Sequence, residues 1–119
     1  MEIKAAIAAL QSLAQETRLE VFRLLVRAGK DGLPAGEIGE ALDVPAPTLS
    51  FHLNHLSNAG LVERRRVGRS IWYTVRFDGF GRLMEYLMEN CCQGRLEIMR
   101  SMKERQDVEE AQQKQGDQI

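Results

Sequence analysis

Residues 49–75 read LSFHLNHLSNAGLVERRRVGRSIWYTV, and this stretch decides the fold. It holds two periods in succession. Leu49, Leu53 and Leu56 recur at helical spacing, so a helix runs from about Ala46 to Ala59 with these leucines inward, and Gly60 closes it. The period then changes. Leu61–Arg66, Val67–Ser70 and Ile71–Phe77 read as strand, turn and strand, the second arm rich in β-branched and aromatic residues.

Upstream, Asp43-Val44-Pro45 makes a tight break. Before it, a short helix has Pro34 in its first turn and reaches Leu42, with Ile38, Ala41 and Leu42 as apolar contacts. Thr17 precedes Glu20 as in a capping box, which predicts the start of another helix. Leu19, Phe22, Leu25 and Val26 form its expected buried stripe, and Gly29 and Gly32 its end. Ile3, Ile7, Leu10 and Leu13 make residues 3–14 a first amphipathic helix. Downstream, a helix from Asp78 or Gly79 carries the stripe Phe80, Met84, Leu87 and Cys91, with Leu83 and Met88 beside it and Gly94 as its stop. Leu96, Met99 and Met102 extend the apolar pattern by a turn or two; Gln106–Ile119 is polar and predicts disorder. The domain division is 1–102 for a folded unit and 103–119 for a polar tail.

The chain has 119 residues, enough for one domain with a modest core. There is no secretory signal and no apolar run of about 18 residues that would span a membrane. Together with only two cysteines, this leads to an expected cytoplasmic location. Net charge is −1, which excludes a general polycation, yet Arg64, Arg65, Arg66, Arg69 and Arg76 cluster against Glu63 alone. Such a local field still attracts phosphates, because charges are screened only beyond about 10 Å.

Two short helices, a tight turn, a polar-faced second helix and a basic hairpin make a winged helix-turn-helix: mainly α with a β-hairpin wing, α+β in class. A helix fits the major groove with its N-terminal residues against base edges. Here these are Ala46, Pro47, Thr48 and Ser50, with Phe51, Asn54 and His55 along the outer face. The hairpin brings guanidinium groups, Arg65 among them, to the sugar–phosphate backbone, with Arg69 at the tip for the minor groove. Taken singly, hairpin arginines are a solvated face and Ser or Thr near a helix start are caps. Taken together, in the order this module requires, they point to double-stranded DNA. His52 stands beside the leucine face and either joins the DNA-binding set or orients the helix.

LAQETRLEVFRLL, LSFHLNHLSNAGLVERRRVGRSIWYTV and ENCCQG resemble the ArsR family of bacterial metalloregulatory repressors over residues 5–94. The resemblance implies a homodimer held by the first and last helices, an operator with an inverted repeat, and release of DNA by an inducer. In one arsenic-responsive branch a vicinal Cys pair follows the fifth helix, with a third cysteine further on. Cys91 and Cys92 match the pair; the third is absent from QGRLEIMRSMKER. The implied inducer is trivalent arsenic or antimony, with its third ligand unknown. Met99 and Met102 are neutral thioethers and do not replace a thiolate. His52 and His55 are too remote in the pattern to complete a zinc site.

Adjacent helical side chains point about 100° apart, so the two sulfurs converge only at a fraying helix end, such as the one before Gly94. Cys91 also continues the apolar stripe, as a core residue would, but that reading leaves Cys92, off the stripe, unexplained, and the paired site is favoured. Three functions stay open: a repressor released by trivalent arsenic or antimony, a repressor whose thiols sense oxidants or electrophiles, and a thiol enzyme or metal carrier. The last has least support, with no Cys-x-x-Cys and no nucleophile–base arrangement at usable spacing. The expected protein is not an enzyme.

Overall fold

The computed structural model describes residues 1–89. Its elements in order are α1 (Ile3–Leu13), α2 (Glu16–Ala28), a 3-10 turn (Gly29–Asp31), β1 (Leu33–Pro34), α3 (Ala35–Leu42), α4 (Ala46–Asn58), β2 (Val62–Val67), β3 (Ser70–Val75) and α5 (Phe77–Met88). The chain divides into two compact units, Met1–Tyr86 and Leu87–Ile119, and the first is the winged helix-turn-helix. The expected polar tail, 103–119, lies outside the described residues.

The core collects one face from each element. Val21, Phe22 and Leu25 come from α2, Ile38 from α3, Leu49, Leu53 and Leu56 from α4, Leu61, Val62, Tyr73 and Val75 from the hairpin, and Leu83 from α5. Each large aliphatic side chain so buried contributes about 1.5–3 kcal/mol. Phe22 and Phe80 meet at 5.3 Å between ring centroids, which ties α2 to the start of α5.

α2 departs from the sequence reading at two points. Its cap is Gln15, whose side-chain oxygen accepts the Arg18 backbone N–H at 2.8 Å, so the helix opens before Thr17 and the Thr17–Glu20 box is not formed. Its buried stripe is Val21, Phe22 and Leu25, while Leu19 and Val26 are over two-fifths exposed. Apolar residues occupy more than one face of this helix, and packing selects among them. In α3, Pro34 is the residue before the first turn rather than within it, and Ala41 is exposed. On α5 the buried centre is Leu83; Phe80 and Met84 are only half-buried. Cys91, placed on that stripe by the sequence, lies outside the described residues.

The sheet is antiparallel in the order β1-β3-β2. β1 pairs Leu33 with Tyr73 and Pro34 with Trp72, and periodicity gives no sign of so short a strand. Gly32 permits it. Its φ is +74°, and a side chain there would collide with the Tyr73 carbonyl.

Candidate nucleic-acid interface

α3 and α4 are joined by a three-residue break. Asp43 ends α3 in the left-handed region (φ 54°), and the Val44 N–H donates to the Gly39 carbonyl at 3.0 Å. Pro45 and Pro47 then fix φ at the start of α4. The backbone near Gly39 is close: a Cβ there would lie 3.1 Å from the Val44 carbonyl and 3.5 Å from the end of Leu49. α4 is therefore seated by its own leucines, with its position set relative to α3.

Burial of Leu49, His52, Leu53 and Leu56 leaves the opposite face of α4 to solvent. Ala46, Pro47, Thr48, Ser50, Phe51, Asn54 and His55 are all exposed, so the structure brings seven of the sequence-selected residues onto one open surface. Phe51 is 60% exposed, and its ring meets the edges of His52 and His55 at centroid distances of 5.6 and 5.5 Å. The exposed Phe51 ring offers apolar contact area on a mostly polar face.

His52, left by the sequence between the DNA-binding set and a role in orienting the helix, is 8% exposed and lies on the leucine side of α4. Its Nδ1 lies 3.2 Å from Arg18 Nη1. A guanidinium only donates, so Nδ1 accepts and the ring is neutral. Burial, then the positive charge of Arg18, then His55, hold its pKa below the usual 6.5.

The hairpin is closed by Gly68-Arg69. Gly68 has φ +62°, the positive value that primed two-residue turns require. Directly paired residues share a face, so Val62/Val75 and Arg64/Tyr73 stand on the core side, Glu63/Thr74 and Arg65/Trp72 on the other. Arg64, Arg65, Arg66 and Arg69 are all exposed, giving guanidinium groups on both faces and at the tip. Arg66 Nε donates to the Gly68 carbonyl at 3.4 Å. Arg76 instead pairs with Asp78 at 3.4 Å, an exposed contact worth little.

Sequence reasoning missed Arg18. It begins the very stripe that buries Val21, Phe22 and Leu25, and a cation in register with an apolar stripe needs a partner. That phase was the available signal. Cys91 and Cys92, the expected inducer ligands, lie outside the described residues. Among the described residues, no group of three or more His, Cys, Asp or Glu could hold a metal ion, and no helix is long and apolar enough to cross a membrane.

Residues 13–65 match the family model described as a helix-turn-helix domain. The chain is similar to the HTH-type transcriptional regulator YceK of Bacillus subtilis, 35% identical over 66% of this chain and 76% of that one. It is similar also to ArsR of Halobacterium salinarum, named for repression of an arsenical resistance operon, 39% identical over 65% of this chain and 59% of that one. Among solved structures it resembles HlyU of Vibrio cholerae at 30% identity and a TM-score of 0.58, covering 78% of this chain and 100% of that one. A reduced form of HlyU has been solved as well, and HlyU is named a transcriptional activator. The homodimeric winged helix-turn-helix DNA-binding domain of Mb0332 from Mycobacterium bovis matches at 26% identity and a TM-score of 0.58, over 72% of this chain and 84% of that one.

Proposed function

Because the chain belongs to the ArsR family of winged helix-turn-helix transcriptional regulators, we propose that it is a dimeric repressor of an inverted-repeat operator, released when trivalent arsenic or antimony occupies Cys91 and Cys92. The observation that supports the DNA half is the two-faced α4: leucines and His52 inward, seven exposed residues outward, beside a hairpin of exposed guanidinium groups. In this reading Thr48, Ser50 and Asn54 hydrogen-bond base edges, and Phe51 meets apolar groups such as a thymine methyl. Arg65 and Arg69 anchor the duplex through phosphates, which gives affinity without sequence preference.

The inducer half rests on donor chemistry. Soft thiolates select soft ions, and two adjacent cysteines supply two sulfurs per chain. Inorganic As(III) favours three thiolates, so it needs a third from a small thiol, a hydroxide or the partner chain. A methylated As(III) already carries one carbon, and two sulfurs complete it. Binding displaces the thiol protons, so it strengthens as pH rises toward about 8.5, where a free thiol titrates. The pair is remote in sequence from α4, and release therefore acts by favouring a dimer geometry that no longer fits two grooves. Such couplings are typically about 1–3 kcal/mol.

A second reading uses the same thiols as a sensor of oxidants or electrophiles. It is favoured by the likeness to HlyU, also solved in a reduced form. The test is titration of the reduced full-length chain on operator DNA with arsenite, antimonite, a methylated trivalent arsenical and peroxide. We expect release by the metalloids, strongest with the methylated species. Cys91→Ser and Cys92→Ser should bind operator as the natural chain does and fail to let go. Release by peroxide with the arsenicals inert would put the redox reading in its place. Loss of operator binding by uninduced Cys92→Ser would contradict the separation of the two sites.

A further inference from the structure

Arg18 makes three contacts at one junction. Its backbone N–H donates to the Gln15 side chain at 2.8 Å, closing the start of α2. Its Nε donates to the Ser12 carbonyl, in the last turn of α1, at 2.7 Å. Its Nη1 donates to Nδ1 of His52, on the inward face of α4, at 3.2 Å. One planar side chain thus spans the end of α1, the start of α2 and the middle of the helix that faces DNA. Few residues can do this: a guanidinium offers several donors in a fixed fork, whereas a lysine ammonium is a single point on a flexible stem.

We propose that Arg18 is a positioning residue for DNA reading: it ties α1 to α4 through neutral His52, and protonation of His52 undoes the tie. Two recognition helices of a dimer must enter successive grooves, roughly 34 Å apart, so the angle of α4 to the dimer-forming helix matters more than the fold of either. Protonation places an N–H on Nδ1 against the N–H of Arg18 and sets two cations side by side, and the contact is lost. Arg18 from α2 and His55 from α4 itself are the charged or titratable groups acting on His52. The buried residues of the other elements packed on α4 are uncharged: Ala6, Ala9 and Ser12 on α1, Ile38 on α3, Val62 on β2. The depressed pKa of His52 keeps the contact intact at neutral pH.

The inference rests on the dimeric DNA-binding reading above, and the experiment separates the two. A duplex is selected from a random pool by the full-length reduced chain. The ratio of its affinity to that of random-sequence duplex is then measured from about pH 7.5 down to about 5, extended on the acid side because His52 titrates below an ordinary histidine. All arms carry His55→Gln, which removes the only other histidine; because His55 lies on the outer face of α4, the duplex is selected with this His55→Gln chain. Sedimentation reports the dimer and circular dichroism the fold. In this background the operator preference should fall about tenfold across the range, the scale of one lost hydrogen bond to a charged group. His52→Gln, whose amide oxygen accepts from Arg18 without titrating, should keep the preference at pH 7.5 and show no acid loss. Arg18→Lys should stay folded and dimeric, with a preference already reduced at pH 7.5 and flat below it. An acid loss that persists in His52→Gln, or an Arg18→Lys protein with unaltered preference and profile, would overturn the proposal. Absence of any operator preference at pH 7.5 in the natural chain would instead count against the DNA-reading assignment itself.

Discussion

α1 and α4 have the same helical period and solve opposite problems. α4 buries its large residues, Leu49, Leu53 and Leu56, and shows polar ones. α1 does the reverse. Ala6, Ala9 and Ser12 are buried, with the Ser12 hydroxyl donating to the Ala9 carbonyl at 2.7 Å, while Ile3, Ile7 and Leu10 are 61%, 46% and 42% exposed. Small residues let α1 lie close against the unit without filling its core. The large aliphatic stripe then has no partner within Met1–Tyr86, and exposed apolar stripes of this kind mark association surfaces. The contrast separates a helix seated by its own core from a helix whose outward stripe is open, the surface that the proposed homodimer would cover.

The sharpest way to break this contrast is a charge on α1. Ile7→Asp should leave the unit folded and yield a monomer by sedimentation. Operator affinity should fall about 10²- to 10⁴-fold, because a second half-site no longer adds its effective concentration. Retention of the dimer would place the association surface elsewhere. Next in size is a cavity in α4. Leu53→Ala should cost about 2–5 kcal/mol in chemical unfolding, whereas Leu10→Ala, on the exposed stripe of α1, should cost far less in the isolated unit. Equal losses would show that α1 and α4 are seated alike.

The wing gives a smaller effect. Arg65→Ala and Arg69→Ala should weaken binding to operator and random duplex alike, and each should flatten the slope of log affinity against log salt by about 0.9 if one phosphate contact is lost. A change in sequence preference would make these arginines readers rather than anchors. Smallest is the pH dependence of stability from His52. Its native pKa is lowered from 6.5, so below that pH the unfolded chain takes up a proton more readily than the native one. This contribution is fully present above about pH 6.5 and is lost as pH falls from there through the native pKa. Unfolding curves compared between the natural chain and His52→Gln isolate it; identical pH dependence would remove His52 from the account.

Much of this was legible in the chain. The change of period at Leu61, the Asp43-Val44-Pro45 break and the Gly68 turn each allow few backbone solutions, and the helix-turn-helix and hairpin formed where they indicated. The outer face of α4 followed from its leucine phase. What failed were choices among near-equivalents. α2 carries Leu19, Val21, Phe22, Leu24, Leu25 and Val26, and local pattern alone does not say which of these the sheet and α4 will cover. Gln15 is an uncommon cap, and β1 is a strand only because β3 lies beside it. His52 stood at the border of two faces in the sequence; in the structure it lies on the buried side, where its Nδ1 is 3.2 Å from Nη1 of Arg18, a contact remote in the chain.

The proposed division between a self-facing α1 and a DNA-facing α4 is tested most directly by stoichiometry on DNA. The full-length reduced chain is titrated onto a selected inverted-repeat duplex and onto a single half-site, with mass measured at saturation, beside Ile7→Asp. The account predicts two chains on the inverted repeat, and an Ile7→Asp protein that binds each half-site singly and weakly with its sequence preference retained. One chain per inverted repeat at full affinity, or an Ile7→Asp protein that binds as tightly as the natural chain, would contradict it.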